Sequence, residues 1–182
     1  AQHIRDVLRT PDKPIRVGVL NGATGQGTVV SATGEAVVLQ CSFDEAPPPR
    51  PGISLLLALP RPKVMRRLWA VISMLGVRRI VLLNAAKVER CYFDTHWLNE
   101  ETYRPLLIEG LQQAGDTWVP DVLVRRRFKP FVQDELPKLA ADATFRLVLD
   151  PRRADAMALN ALPPGGRGFV ALGPEGGWSD FE

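Results

Sequence analysis

A short apolar stretch followed by a glycine-rich loop constrains this chain more than any other feature. Gly168–Leu172 has the length and composition of a buried strand, and Gly173-Pro174-Glu175-Gly176-Gly177 follows it directly. Three glycines and one proline in five residues exclude a regular helix or strand. Ser179 and Glu182 then have the spacing of a capping box, which predicts the start of a helix. Such an arrangement exposes backbone N–H groups at the carboxyl edge of a parallel sheet, where α/β proteins bind ligands, although a tight turn without a ligand fits the same pattern.

The stretch from residue 53 onwards alternates between strand and helix patterns. Ile53 to Leu59 is an unbroken apolar run of strand length, typical of a strand covered on both faces. Apolar residues then recur at helical spacing up to Gly76, a natural helix end. These residues are Val64, Leu68, Val71, Ile72 and Leu75.

Further elements continue this alternation. Strands are predicted at 79–84, 122–124, 145–150 and 169–172, and helices at 99–114 and 131–140. Pro105 fits only near a helix start, which places the start of the first of these helices later, and Pro137 interrupts the second. Strands that alternate with helices predict a parallel sheet in an α/β/α layering.

The first 46 residues show a β pattern instead. Short strands are predicted at 15–19, 28–31 and 36–39, and Asn21-Gly22 is a strong turn signal. Gly22, Gly25 and Gly27 are interpreted as turn glycines. Three short strands with glycine turns predict a meander within a small barrel.

A run of prolines separates the two patterns. Residues 47–52 favour extended polyproline geometry and exclude a helix or a central strand. We therefore expect a β-barrel domain at 1–46, a linker at 47–52 and an α/β domain at 53–182.

Composition and charge place the chain among ordinary globular proteins. It has 182 residues, of which 46% are apolar, a net charge of +3 and two cysteines without metal-ligand spacing, which favours a reducing cytosol. No apolar run reaches the length of a membrane span. The chain begins at Ala1 rather than Met and stops within the predicted helix start, so we expect both ends to be incomplete.

Conventional catalytic motifs are absent. The sequence has no Gly-x-Ser-x-Gly elbow and no Walker A string, and the presence of only two histidines, His3 and His96, argues against a metal site. A chain so poor in nucleophile–base pairs favours chemistry in which a reactive cofactor does the work.

The glycine loop also carries a family resemblance. Leu172 to Ser179, with Glu182 after it, resembles the signature of the bacterial 16S ribosomal RNA uracil-N3 methyltransferases, which belong to the SPOUT class of trefoil-knotted enzymes. The opening His3-Ile4, Val7-Leu8-Arg9 resembles the start of that family's PUA-like barrel. Weaker matches follow in order at Leu75-Gly76-Val77, Arg79-Ile80, Asn84, Glu109, Gln113 and Pro120.

The resemblance implies a SPOUT-type parallel sheet with a C-terminal trefoil knot, incomplete in this chain, and an N-terminal PUA-like β-barrel. It implies a cytoplasmic homodimer that uses S-adenosyl-L-methionine to methylate N3 of one uridine in 16S ribosomal RNA of the small subunit, without a metal or a membrane. Carried over by position, the cofactor would be lined by Leu149, Leu172, Gly173, Pro174, Gly176 and Gly177. Glu175 and Glu182 are candidate bases, although the spacing of Glu182 favours capping, and no catalytic residue is assigned.

Basic residues are the candidates for RNA contact. Clustered cations suit a surface that follows phosphates, and solvated surface charge is the alternative. The candidates are His3, Arg9, Arg61, Lys63, Arg125, Arg126 and Arg127.

The sequence departs from the family pattern at several points. Arg61-Pro62-Lys63 stands where the family has Lys-Gly-Asp, Met74 where it has Glu, and Asp116 where it has Arg. The family's C-terminal Leu-Gly-x-x-Ile-Leu-Arg string is absent. Two other functions therefore stay open: an RNA-binding protein that has lost its cofactor site, and an α/β enzyme that uses the loop for a phosphate ligand.

Overall fold

The computed structural model describes residues 14–33, 36–150 and 165–182. It divides the chain into two units. The first comprises Ala1–Pro49 and Gly115–Trp118, and the second comprises Arg50–Ala114 and Val119–Glu182.

The first unit contains an antiparallel sheet of three strands. These are β1 (Ile15–Gly18), β2 (Thr24–Ala32) and β3 (Val37–Glu45), in that spatial order. The turn predicted at Asn21-Gly22 is confirmed: Asn21 has a φ of 59° and the Gly22 N–H donates to the Val19 carbonyl over 2.8 Å. Asparagine tolerates this left-handed conformation better than most residues.

Two of the three glycines interpreted as turn residues lie within a strand. Gly25 and Gly27 belong to β2, so that interpretation is wrong for both. At Gly25 a Cβ atom would stand 1.9 Å from the Ser42 carbonyl oxygen on β3, beside a register shift between Thr24 and Gln26. Gly25 is therefore a site of close strand approach, the other reason for glycine in a sheet.

The second unit contains a parallel sheet of five strands, as the alternating pattern predicts. The strands are β4 (Ile53–Ala58), β5 (Val77–Leu83), β6 (Asp121–Arg125), β7 (Phe145–Leu149) and β8 (Gly168–Leu172). Their spatial order is β6-β5-β4-β8-β7, and every pairing is parallel. The α/β fold class is confirmed.

The inner strands form the core of this unit. Every residue of β4 from Ser54 to Ala58 is buried, and so is every residue of β5 from Ile80 to Leu83. Strands covered on both faces need continuous apolar runs, which explains why these two strands could be predicted from the sequence.

Two longer helices accompany the sheet, α1 (Pro62–Met74) and α2 (Glu100–Ala114). Gly76 follows α1 with a φ of 69°, as a helix-ending glycine does. Pro105 lies inside α2, so the expected later start is wrong. The carbonyl that Pro105 leaves without a donor belongs to Glu101, which is exposed and accessible to water.

The buried face of α1 differs from the apolar pattern in the sequence. Met65, Trp69 and Ile72 are buried, whereas Val71 is 43% exposed and Leu75 is 71% exposed. The Trp69 ring stacks on Tyr103 at 4.7 Å, and its Nε1–H donates to the Trp97 carbonyl over 3.0 Å. These contacts set the helix rotation around the large aromatic side chain.

The remaining helical elements are short. Two 3₁₀ helices cover Arg90–Asp94 and His96–Leu98. A helical segment follows β6 as Phe128–Pro130, a π-helical turn at Phe131–Glu135, and Leu136–Leu139. It begins three residues earlier than expected, and Pro137 stands at the start of its last piece.

An ionic cluster lies at the amino edge of the sheet. The Asp142 carboxylate accepts from Arg78 Nη1 at 2.9 Å and from Arg167 Nη1 at 2.7 Å. The Arg78 hydrogen bond, followed by that from Arg167, lowers the pKa of Asp142.

Candidate functional site: the carboxyl edge of the parallel sheet

The glycine loop, Gly173–Gly177, begins where β8 ends. β8 lies between β4 and β7, so the loop lies at the carboxyl edge of the sheet, one strand in from the outermost strand β7. Leu172 pairs with Leu149 across the β7–β8 register, which brings two predicted cofactor residues side by side. Parallel strands place the loops that follow them at one edge, so the residues that follow β4, β5 and β6 reach the same edge as the glycine loop.

The glycines in the loop serve different geometrical needs. Gly177 has a φ of 72°, a left-handed conformation that favours glycine, and its N–H donates to the Pro174 carbonyl over 2.8 Å. A Cβ atom on Gly173 would stand 2.9 Å from Nε1 of Trp178. Gly176 is exposed, and a Cβ atom there would meet only the stem of Lys87, with Cδ at 2.9 Å.

The capping-box prediction is confirmed in part. Oε2 of Glu182 accepts from the Ser179 N–H and from the Ser179 hydroxyl, each over 2.9 Å. The Ser179 hydroxyl thus donates to the carboxylate rather than accepting from the backbone, and residues 179–182 form a turn, not a helix. Oε1 of Glu182 accepts from the Ala86 N–H over 2.6 Å. Both oxygens therefore have structural partners, which argues against Glu182 as a free base.

Two predicted RNA-contact residues lie where β4 leads into α1. Arg61 approaches Glu175 of the glycine loop, with Nη2 3.6 Å from Oε2, and both side chains are 64% exposed. Lys63 is exposed at the start of α1. An ion pair as exposed as Arg61–Glu175 contributes little to stability. Two other candidates, His3 and Arg9, lie outside the described residues.

The three arginines after β6 have different environments. Nε of Arg125 donates to Glu135 over 2.7 Å, and its Nη1 donates to the Val124 carbonyl over 3.1 Å. Arg126 is paired with Asp94 at 3.1 Å, and its guanidinium lies 5.4 Å from the centre of the Phe93 ring. Arg127 is exposed and makes no ion pair with any described residue.

An apolar groove adjoins the glycine loop. One wall is the helical segment after β6, and the other is formed by the sheet and by Trp178. Its lining includes Phe128, Val132, Leu136, Val148, Phe169 and Trp178. Arg146 and Glu182 also border this groove, so it is apolar with a few polar groups, as small-molecule sites generally are.

The comparison with known families decides what kind of protein carries this site. Residues 47–182 match the family described as RNA methyltransferase domain. The chain belongs to this family. The match spans the whole parallel sheet and the glycine loop.

Individual relatives agree with the family assignment. This methyltransferase is 29% identical to the ribosomal RNA small subunit methyltransferase E of Treponema pallidum, over 99% of this chain and 68% of that protein. It superimposes on a Legionella pneumophila protein solved with bound SAM, with a TM-score of 0.71, 19% identity, and coverage of 99% of this chain and 73% of the other. For the ribosomal RNA small subunit methyltransferase E of Neisseria gonorrhoeae bound to S-adenosyl methionine, the TM-score is 0.69, the identity 18% and the coverage 99% and 73%. At these identities the superpositions establish the fold.

Sequence reasoning missed the residues that follow β5 in this methyltransferase. Lys87 donates from Nζ to the Gly176 carbonyl over 2.6 Å. The Tyr92 hydroxyl donates to Glu89 over 2.9 Å, and this hydrogen bond raises the pKa of Tyr92. Their position directly after a buried strand was the available signal, because it predicts the carboxyl edge.

No three His, Cys, Asp or Glu side chains in the described part of the chain are grouped as a metal ion requires. None of the described helices has both the length and the apolar character needed to cross a bilayer.

Proposed function

We propose that this methyltransferase uses S-adenosyl-L-methionine to methylate N3 of a uridine in 16S ribosomal RNA. The observation that carries the proposal is the glycine loop over the carboxyl edge of the sheet, with an apolar groove on one side and cations around it. The RNA methyltransferase family assignment and the relatives named for the ribosomal small subunit support the choice of substrate.

The residues present fit the methyl donor. Gly176 is exposed and has no side chain, so a ligand can approach its main chain except on the side where the stem of Lys87 lies against it. Leu149, Leu172, Gly173, Pro174, Gly176 and Gly177 would line the donor, and the groove beside Trp178 offers apolar surface for its adenosyl part. When bound, the donor supplies an electrophilic methyl group on its sulfonium.

The chain's own task is then alignment. The uracil N3 has to meet the methyl group in line, and its imide proton has to leave. Glu182 is bound to Ser179 and Ala86. We therefore do not assign it the proton, and the proton acceptor stays unassigned.

RNA contact falls to the cations around the loop. Arg61, Lys63, Arg126 and Arg127 are exposed at the carboxyl edge and suit phosphate binding, whereas Arg125 serves to hold the segment after β6 through Glu135. His3 and Arg9 remain candidates from the sequence. The antiparallel sheet is proposed to belong to a PUA-like RNA-binding barrel, with a domain at 1–46 and a linker at 47–52.

The finer assembly is also part of the proposal. A trefoil knot in the C-terminal part of the domain at 53–182, a homodimer and a cytoplasmic location follow from the resemblance to SPOUT enzymes. The small ribosomal subunit would be the partner.

Two measurements test the function. Isothermal titration with S-adenosylmethionine should show saturable binding that S-adenosylhomocysteine competes for and inorganic phosphate does not. Mass spectrometry of 16S ribosomal RNA should show one 3-methyluridine that disappears when the gene is deleted and returns with the wild-type gene. An RNA-binding protein without a cofactor site would retain RNA affinity but give no titration signal, and competition by phosphate would indicate a phosphate-ligand enzyme.

A further inference from the structure

The glycine loop is tied to a loop whose strand is not its neighbour. β4 lies between β5 and β8, yet Lys87 and Ala86, which follow β5, contact the residues that follow β8. Nζ of Lys87 donates to the Gly176 carbonyl over 2.6 Å, and the Ala86 N–H donates to Oε1 of Glu182 over 2.6 Å. We propose that Lys87 and Glu182 are positioning residues that hold the glycine loop in the shape its methyl donor requires. The link to the donor rests on the proposed function.

Lys87 makes this contact with its whole side chain. A Cβ atom on Gly176 would stand 2.9 Å from Cδ, 3.6 Å from Cβ and 3.8 Å from Cγ of Lys87, so the stem lies against the glycine while the ammonium reaches the carbonyl. A hydrogen bond from a charged donor is about twice as strong as a neutral one. The bonded carbonyl belongs to the peptide group directly before Gly177, whose φ of 72° turns the loop. Lys87 therefore fixes the peptide plane at which the loop reverses.

Glu182 restrains the residues that follow the glycine loop. Its Oε2 accepts from the N–H and hydroxyl of Ser179, and its Oε1 accepts from Ala86. A carboxylate has two acceptor oxygens and a carboxamide has one. Glu182→Gln therefore loses one of these links while it keeps the shape of the side chain.

The contacts matter because the loop has little else to define it. Among the backbone hydrogen bonds of the described residues outside helices and strands, one joins two residues within Gly173–Gly177, from the Gly177 N–H to the Pro174 carbonyl. The neighbouring ion pair from Arg61 to Glu175 spans 3.6 Å between exposed groups. Glycines also have the largest conformational freedom to lose. The hydrogen bond from Lys87 to Gly176 therefore adds a restraint that the loop's own backbone does not supply.

The competing explanation is that Lys87 is a solvated cation that meets RNA phosphate. In that case its removal would weaken RNA binding and leave the loop unchanged. Exchange of the backbone amides separates the two, because it reports on the loop itself in protein without donor or RNA.

The experiment compares four variants with the wild-type protein. Lys87→Met removes the donor and keeps a stem, Lys87→Arg restores a donor, and Glu182→Gln weakens the second clamp. Lys138→Met is the matched control, since it makes the same charge change at an exposed lysine of Leu136–Leu139. Hydrogen exchange of the peptide spanning 173–178 should be about tenfold faster in Lys87→Met and Glu182→Gln, close to wild type in Lys87→Arg, and unchanged in Lys138→Met.

Binding and turnover then show what the clamp does for the donor. In Lys87→Met the Kd for S-adenosylmethionine should rise about tenfold, equivalent to about 1.4 kcal/mol. The kcat at saturating donor should stay within about twofold of wild type, because the loop is pre-shaped for binding rather than for the chemical step. Lys87→Arg should restore the Kd.

The outcomes distinguish this inference from the proposed function. Wild-type exchange in both Lys87→Met and Glu182→Gln overturns the positioning role, and so does an equal effect in Lys138→Met. Faster exchange with no donor binding by the wild-type protein supports the clamp and overturns the proposed methyl donor. Faster exchange with unchanged donor affinity overturns the claim that the clamped shape is the one the donor needs.

Discussion

Replacing Gly110 by alanine tests how closely α1 and α2 pack. An alanine Cβ at this position would stand 2.1 Å from the Ala70 carbonyl oxygen, 2.9 Å from its carbon and 3.0 Å from the Met74 nitrogen. All three atoms belong to the backbone of α1, so no rotation of a side chain relieves the clash. The Ala70 carbonyl oxygen has to move away by about 1.4 Å to reach an ordinary contact distance of about 3.5 Å, so the two helices have to separate.

Two opposing effects determine the magnitude. Alanine favours a helix over glycine by about 1 kcal/mol. Overpacking between rigid backbones costs about 1–3 kcal/mol. Separation of the helices also stretches the buried hydrogen bond from the Ser73 hydroxyl to the Leu107 carbonyl, now 2.8 Å, at a cost of about 1–3 kcal/mol if it is lost. We expect Gly110→Ala to lower the free energy of unfolding by about 2 kcal/mol, or the Tm by about 4–8 °C.

Urea denaturation and thermal melting of the wild-type and variant proteins measure this change. Gln112→Ala is the control, because Gln112 is an exposed residue of the same helix. It should change the free energy of unfolding by less than about 0.5 kcal/mol. A Gly110→Ala protein as stable as the wild type, or more stable, would refute the close approach of the two backbones.

Three further predictions concern the loop, an ion pair and RNA contact. Gly176→Val meets only the flexible stem of Lys87, so its melting temperature should stay near that of the wild type while S-adenosylmethionine binding and methylation are lost; normal methylation would contradict the cofactor assignment. The pKa of Asp142 is lowered in the folded state, so its contribution to stability is present above its ordinary value of 3.8 and disappears as the pH falls through the lowered value. The difference in urea stability between wild type and Asp142→Asn should therefore shrink from pH 7 to pH 3, and a constant difference would show that the pairing is not electrostatic. Arg127→Ala should weaken RNA binding and reduce the slope of log K against log salt by about 1, whereas Lys138→Ala should leave both unchanged; equal slopes in Arg127→Ala and wild type would exclude a phosphate contact.

The strands of the parallel sheet could be predicted because burial acts on each of them locally. A strand that is covered on both faces needs an apolar residue at nearly every position, and Leu55–Ala58 and Ile80–Leu83 meet that condition without any knowledge of their neighbours. The turn at Asn21 could also be predicted because its determinant is local: the left-handed conformation depends on the type of that one residue.

The buried face of α1 could not be predicted in the same way. Val71 and Leu75 continue a regular apolar spacing, yet the helix buries Trp69 and Met65 instead. The partners that decide the rotation, Tyr103 and the Trp97 carbonyl, are about thirty residues further along the chain. Periodicity gives the helix but not the direction in which its largest side chain finds a partner.

The glycines of β2 show a related limit. Glycine permits both a left-handed turn and a close approach of two backbones, and the sequence alone does not separate these uses. Gly25 lies within β2, and the Ser42 backbone of β3 lies so close to it that a side chain would not fit. Only the pairing of the two strands reveals that.

The candidate site has one part that could be predicted from the sequence, the glycine loop, and one part that could not, the residues that contact this loop from other strands. The composition of Gly173–Gly177 predicts a loop, and the apolar strand before it predicts that this loop lies at an edge of the sheet. The residues that restrain the loop, Lys87 and Ala86, are separated from it by about ninety positions, and they reach it only because the spatial order places β4 alone between β5 and β8. A parallel sheet gathers at one edge the loops of strands that are distant in sequence. Amino-acid composition therefore predicts the glycine loop that we propose contacts the methyl donor, while the order of the strands determines which residues restrain that loop.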